Sequence, residues 1–316
     1  DNAIYISPSN VNEIVMAGVR TYRSTDGGSN FTMLNATTAS NLHGDVHAIE
    51  RNPLNGNLYT GDDGGIYRST DNGVTWSNIS LNLVIGEFYR ISGYQANNEM
   101  ILGGTQDNGQ FLRTSNTGDY NNVIPGYDGM DNIIDYSNPN ILYACIQNGG
   151  LYKSTNAGNN FGGVAVPVGG QWITPILQST SNSNTIFYGS NNGILRSTNG
   201  GTSWSNLGGY NGAVALAISR FGGRLVATDG NLIKVCDNPN DPTPVWSVGV
   251  NPTGTLNIVN ISSIAINLGN ANDIYATASG YDNQLKVFRS IDGGVSYTNV
   301  SLNLPNVPVY SVAFEN

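Results

Sequence analysis

Two stretches of this chain gather hydrogen-bonding and ionisable side chains. The first holds His43, Asp45 and His47, followed by Asp62 and Asp63 in TGDDGG. The second holds Gln106, Asp107 and Asn108 in GGTQDNGQ, then Tyr127, Asp128 and Asp131, Gln147 and Asn148, and finally Trp172. Four kinds of chemistry suit such sets. Carboxylates and amides hydrogen-bond sugar hydroxyls, and the rings of Tyr127 and Trp172 can stack on a sugar face. His43, Asp45, His47, Asp63, Gln106, Asn108, Tyr127 and Trp172 are therefore read as binding residues. Two carboxyl groups about 5–9 Å apart, one with a raised pKa, hydrolyse glycosidic bonds. The catalytic candidates are Asp62, Asp107 and Asp128, with Asp62 paired to one of the other two. His43-x-Asp45-x-His47, if on a strand, would place three metal ligands on one side; these are the only metal candidates, and no cofactor is expected. The fourth possibility is structural: Asp-Gly and Asn-Gly are ordinary turn chemistry, and the same side chains can cap their own loops. No G-x-S-x-G nucleophile motif is present, and the Gly-Gly pairs lie in hairpins rather than before helices.

The elements that position these residues come from a repeat. YRSTDGGSNF at 22–31 returns as YRSTDNGVTW, YKSTNAGNNF, LRSTNGGTSW and FRSIDGGVSY. In each copy a Ser is followed two residues on by Asp or Asn, four on by Gly and seven on by an aromatic. The residues before the Ser alternate as a strand does. The Ser and the Asp or Asn can bond turn backbone, and the Gly takes a positive φ. The unit is a β-hairpin, and its aromatic is expected to pack between repeats, with Trp76, Phe161 and Trp204 buried there. A sixth copy around Thr114 is degenerate, and a seventh, around Asp237, carries the insertion NPNDPTP. The Ser or Thr positions 24, 69, 114, 154 and 197 are 40 to 45 residues apart, and the gap to 290 holds two repeats. A period of about 40–50 residues with several strands per repeat predicts an all-β, seven-bladed β-propeller of four-stranded antiparallel blades. The expected blades cover about 1–35, 46–80, 88–124, 130–166, 172–207, 213–249 and 261–300, as one domain over 1–316. Residues 307–316 read as a closing strand or the start of a further blade, as in an excerpt of a larger protein.

The S-x-[DN]-x-G-x-x-[WFY] unit resembles the Asp-box, or bacterial neuraminidase repeat, of sialidases, sortilin-type receptors, a photosystem assembly factor and xyloglucan-degrading glycoside hydrolases. The longer run VHAIERNPLNGNLYTGDDGGIYRSTDNGVTWSNIS, with EFYRI, GGTQDNG and YDGMDNIIDYSNPNILYA, is similar to large secreted Bacteroidetes-type proteins, often exported by type IX secretion. That resemblance implies an extracellular or cell-surface propeller. TGDDGGIYRS is also similar to a xyloglucanase motif whose Asp is the general base, which would give Asp62 that role. Those enzymes draw their other acid from a second propeller, which this chain lacks. Sialidase chemistry in the family needs three arginines on the substrate carboxylate and six blades, and neither fits. The resemblance therefore implies a binding or scaffolding module, with a xyloglucanase-like glycoside hydrolase as the alternative.

Composition agrees with an extracellular β protein: 40 Gly, 17 Tyr and only 11% charged residues. A net charge of −9 without a basic stripe excludes nucleic acid as a partner. Seven of the 13 Lys and Arg sit just before the turn Ser position and belong to the repeat. The expected partners are a polysaccharide or glycan, or another cell-surface protein. No apolar run reaches the length of a membrane helix, so no membrane insertion is expected. Cys145 and Cys236 fall in non-adjacent repeats and are read as buried free thiols.

Overall fold

The computed structural model describes residues 3–34, 42–80, 83, 86–115, 118–253, 260–281 and 284–314. Its strands form seven four-stranded antiparallel sheets, each strand beside the next in sequence. The one helical element among the described residues is a single 3-10 turn, Gln147–Gly149. The chain divides into two compact units, Asp1–Glu87 and Phe88–Asn316.

The first unit holds blades one and two. Blade one comprises Ala3–Ile6, Ile14–Ala17, Thr21–Ser24 and Thr32–Met33, and blade two Val46–Arg51, Leu58–Asp62, Gly65–Ser69 and Ser77–Asn78. Val15 and Ala17 of blade one pack on Val46, Leu58, Tyr67 and Trp76 of blade two. The second unit holds the other five. Blade three is Phe88–Tyr94, Asn97–Thr105, Gly109–Arg113 and Asn121–Ile124; blade four is Gly129–Ile134, Leu142–Ile146, Leu151–Ser154 and Gly162–Val164. Blade five is Ile176–Gln178, Ile186–Ser190, Gly193–Ser197 and Ser205–Asn206; blade six is Ala215–Ile218, Arg224–Thr228, Ile233–Asp237 and Val245–Trp246. Blade seven is Ile261–Asn267, Asn270–Ala278, Val287–Ser290 and Thr298–Asn299. Successive blades of this unit share aliphatic and aromatic cores.

The repeated turn is bonded as its residue types require. In blade two the Ser69 hydroxyl donates to Asp71 Oδ1 (2.8 Å) and accepts from the Gly73 amide (2.8 Å), while the Thr75 amide donates to the same Asp71 oxygen (2.9 Å). The turns after Ser24 and Ser290 repeat this, and those after Ser154 and Ser197 do so with Asn156 and Asn199. Gly73 has φ +80°, and a Cβ there would stand 2.9 Å from a Val15 methyl, so this position needs Gly on two grounds. Part of the degenerate third-blade turn, Asn116 and Thr117, lies outside the described residues.

Three details sharpen the sequence reading. Trp76 is buried against blade one, whereas Phe161 and Trp204 are only half-buried at their blade interfaces. In three blades the basic residue before the turn Ser grips the next blade, a role the repeat did not reveal, whereas Arg113 and Arg289 bond within their own blades, to the Glu99 carbonyl and to Asp273, and Lys234 reaches back to the Gly209 carbonyl. Arg23 Nε donates to the Asn72 carbonyl (3.1 Å), Lys153 Nζ to Gly200 (2.8 Å) and Arg196 Nη1 to Pro239 (2.7 Å). The tail is not a strand over its described part, 307–314. The Val309 amide donates to Ala278 and the Ser262 hydroxyl donates to the Val309 carbonyl, so the tail lies along blade seven. Pro305 and Pro308 lack the amide protons that strand pairing requires. Both cysteines are buried free thiols.

Candidate functional site

The two stretches fall in different units, and each is built by the connections between second and third strands and between blades. In the first unit Asp62 ends one strand and Gly65 begins the next, directly paired across a two-residue turn. Asp62 Oδ1 accepts the Gly64 amide (3.0 Å). The other oxygen, Oδ2, is buried without a partner, as is Thr60 Oγ1 two residues earlier on the same face of the strand. The residue is only 9% exposed. Burial pushes its carboxyl up to about 6, against the pull of the Gly64 and Gly65 amides and of His43, with Asp63 adding to the rise.

The histidines do not form the metal triad that their spacing suggested. Only His47 lies in a strand; His43 and Asp45 precede it, and Asp45 has φ +56°, so side-chain alternation does not apply. His43 Nδ1 donates to the Gly44 carbonyl (3.1 Å), and its side chain covers Gly64, where a Cβ would come within 2.6 Å of the His43 Cβ and 2.7 Å of its ring. His47 Nε2 pairs with Asp63 Oδ1 at 2.5 Å, both partly exposed. Among the described residues no three His, Cys, Asp or Glu side chains gather closely enough to hold a metal ion.

In the second unit the predicted residues meet in a belt of loops. Asp128 Oδ1 accepts the Asp107 amide (3.0 Å), and the Asp128 amide donates to Gln147 Oε1 (3.0 Å). The Asn148 amide donates to the Trp172 carbonyl (3.4 Å), and the Gly170 amide returns to Asn148 (3.3 Å). Asn191 continues the belt, its amide donating to Gly169 (2.8 Å) and its side chain accepting from Gln171 Nε2 (2.6 Å). The Gly212 amide then donates to Ser190 (2.8 Å). Connections of blades three to six are thus joined in series. Gln106 accepts from both the amide and the side chain of Asn108, which closes that loop on itself. Two rings remain open on the belt, Tyr127 at 42% and Trp172 at 49% exposure; Tyr127 lies 6.5 Å from the Tyr152 ring.

Asp131 belongs to the frame instead. Its oxygens accept the Asn132 amide (2.9 Å) and the Ile176 amide (3.0 Å), tying blade four to blade five. Burial raises its carboxyl to about 6, opposed by those amides and by Arg90. Sequence reasoning missed Gln171 and Asn191 as belt members. It also missed Gln110, fully buried, whose Nε2 donates to the Met130 and Cys145 carbonyls (3.1 and 2.8 Å). Their one signal was a side-chain amide beside a Gly-containing turn, which many loops here share.

No family model matches the chain, and no curated protein matches it. Among solved structures it is similar to Sqt1 of Saccharomyces cerevisiae, 14% identical, with 98% of this chain and 86% of that one covered and a TM-score of 0.54. It is also similar to the β-propeller domain of Cps50 (Swd1) from Myceliophteria thermophila, 8% identical, covering 91% and 95% with a TM-score of 0.49. The fold is a seven-bladed β-propeller. A third similar structure, an ancestral GH74 enzyme, is 18% identical over 90% of this chain, with a TM-score of 0.40. The chain spans about a third of that enzyme's length, 35%.

Proposed function

We propose that this propeller is an extracellular or cell-surface binding module, that its ligand is a glycan, and that the loop belt of blades three to five is the docking rim. The observation that carries the reading is the Asp107–Asp128–Gln147 and Asn148–Trp172 bonding. It leaves the rim preorganised and commits Asp128 to holding its neighbours. A rim fixed before binding loses little entropy on capture. Tyr127 and Trp172 offer flat apolar faces, and the surrounding amides offer hydrogen bonds to hydroxyls. The Asp-box resemblance, the low charge and the abundance of turn residues support secretion, with type IX export as the route. The test is a glycan array. Hits should weaken at least tenfold in Trp172→Ala and Tyr127→Ala, with the fold unchanged by circular dichroism. Binding that ignores both substitutions, or no hits at all, would overturn the reading.

One observation favours a second reading, glycoside hydrolysis. Asp62 is a buried carboxyl with one unpartnered oxygen and a pKa near 6, suited to proton transfer close to neutral pH. This supports the xyloglucanase-like role that TGDDGGIYRS suggested. Reducing ends should then appear from plant or algal polysaccharide with the wild-type chain and be lost with Asp62→Asn. Equal release from the two, or none from either, removes this reading.

A further inference from the structure

The fourth strand of each blade is the free edge of its sheet. Blades two, five and seven close with Ser77–Asn78, Ser205–Asn206 and Thr298–Asn299, short polar pairs. Blade six closes with Val245–Trp246, inside the uncharged run VWSVGV at 245–250. Its inner side is bonded: the Ser247 amide donates to Val235 (2.7 Å), and Val250 exchanges two bonds with Ile233. The Trp246 indole turns inward and donates to the Leu207 carbonyl (2.8 Å). The outer side ends the sheet, with Val245 78% and Val248 88% exposed. Natural sheets protect such edges with charge, proline, a covering element or a very short strand, and here the protection is confined to a two-residue strand and the Pro244 before it, with no charge over 245–250.

Beside that edge lies a cleft of about 600 Å³ between blade six and the turn of blade seven. Its walls include Val235, Val250 and Val295, and its charges are the Arg224–Asp237 pair (2.7 Å) and Asp292. One cation and two anions leave it net negative. At the interface of blades four and five the fourth-strand Val164 lies against Gly201, whereas here the third-strand Val235 covers the corresponding Gly294. Blade six carries the insertion NPNDPTP between its third and fourth strands. Arg196 of blade five clamps that insertion through Pro239 and Asp241 (2.7 and 2.9 Å), so the open arrangement is held in place.

We propose that the outer edge of blade six docks an extended, basic and aliphatic segment of a partner protein. The segment adds a strand beside residues 245–248, seats an aliphatic side chain among Val235, Val250 and Val295, and sets a lysine or arginine against Asp292. Strand addition takes its affinity from main-chain bonds and its specificity from alternate side chains, which is what an uncharged edge beside an apolar, acidic cleft provides. The site is independent of the glycan rim.

The test is selection of a phage-displayed library of random 12-residue peptides on the immobilised chain, followed by calorimetry of the enriched peptides. Enriched sequences should alternate aliphatic residues and carry Lys or Arg. Their Kd should weaken at least tenfold in Val248→Lys, and also in Asp292→Asn, a substitution the turn tolerates as Asn156 and Asn199. Hydrogen exchange should slow at 245–250 when peptide is bound. Val248 is exposed, so its substitution leaves the core intact. Absence of enrichment, or peptides indifferent to Val248→Lys, overturns the proposal. So does concentration-dependent dimerisation abolished by Val245→Lys, since the edge would then pair with a second copy of this chain.

Discussion

Blade two holds two hairpins, one at each end of the strand Gly65–Ser69, and each turns on an aspartate. Asp71 collects donors: the Ser69 hydroxyl, the Val74 and Thr75 amides and the Thr75 hydroxyl (2.6–3.1 Å). Burial pushes its carboxyl up, but those bonds outweigh burial and hold it below the usual range. Asp62 receives the Gly64 amide, keeps one oxygen without a partner, and lies deeper; burial wins and its carboxyl rises to about 6. The same residue type in the same blade is thus a stabilising turn brace at one end and a costly buried acid at the other. What separates them is the depth of burial and the number of donors the fold delivers.

Blade five shows what a less costly choice would look like. Ser190 occupies the place of Asp62, paired with Gly193 across a two-residue turn. Its hydroxyl accepts the Asn192 amide (3.1 Å), as Asp62 accepts Gly64, but also donates to the Gly193 carbonyl (2.6 Å). An ionised carboxylate cannot make that second bond. Asp62→Ser should therefore stabilise the first unit at pH 7.5. The gap between the ordinary value of 3.8 and about 6 sets an upper bound of about 3 kcal/mol, reduced by solvent screening of the partly open carboxyl. The sign follows from proton uptake. Between about pH 4 and 6 the folded state holds a proton at Asp62 that the unfolded chain has lost, so stability falls as pH rises through this window. The fall in urea melts should be steeper in the wild type than in the Ser variant, which keeps only the contribution of Asp131. Identical slopes would erase the distinction between the two aspartates. A stabilised but ligand-blind variant would mark Asp62 as kept for function at the expense of stability.

The turn brace should fail in the opposite direction and by less. Asp71→Ala removes an acceptor of four bonds and should cost about 1–2 kcal/mol, the range for losing a local cap. Asp71→Asn should cost under about 0.5 kcal/mol, since Asn156 and Asn199 accept equivalent turn bonds in blades four and five. Denaturant midpoints check both, and an Ala variant as stable as the Asn variant would show that the bonds contribute little.

The smallest effect is expected at the exposed turns of blades one and seven. The Asn30 side chain leads in holding Asp26 down to about 2, and the Ser296 hydroxyl does the same for Asp292. Their support is complete above about pH 4 and is lost as pH falls through about 2, the reverse of Asp62. Carboxyl NMR titration should place these two midpoints several pH units from that of Asp62. Coincident midpoints near the ordinary carboxylate value would undo the comparison.

The candidate residues were legible in the sequence as types and spacings, and much of their arrangement was not. TGDDGG and QDNG announced hairpins, and hairpins formed at both. His43, Asp45 and His47 suggested a strand-borne triad because strictly alternating residues share a face, but the strand begins only at Val46, and the two histidines bond different groups. Asp128 was read as a catalytic candidate; it holds the amide of Asp107, a partner 21 residues away. No local pattern encodes that bond.

The sequence by itself determined the period, the strand count and the turn chemistry. These rest on contacts between residues two to four apart, such as Ser69 with Asp71 and Gly73, which any copy of the motif can make as soon as its hairpin forms. Only the tertiary structure decided which aspartate is starved of donors, which blade each turn-flanking cation grips, how the loops join into a belt, and where the sixth blade stays open. Each of those depends on how far a neighbouring blade reaches. Desolvation and hydrogen-bond donors are supplied across blades, by residues whose distance in the chain carries no signal of their proximity in space.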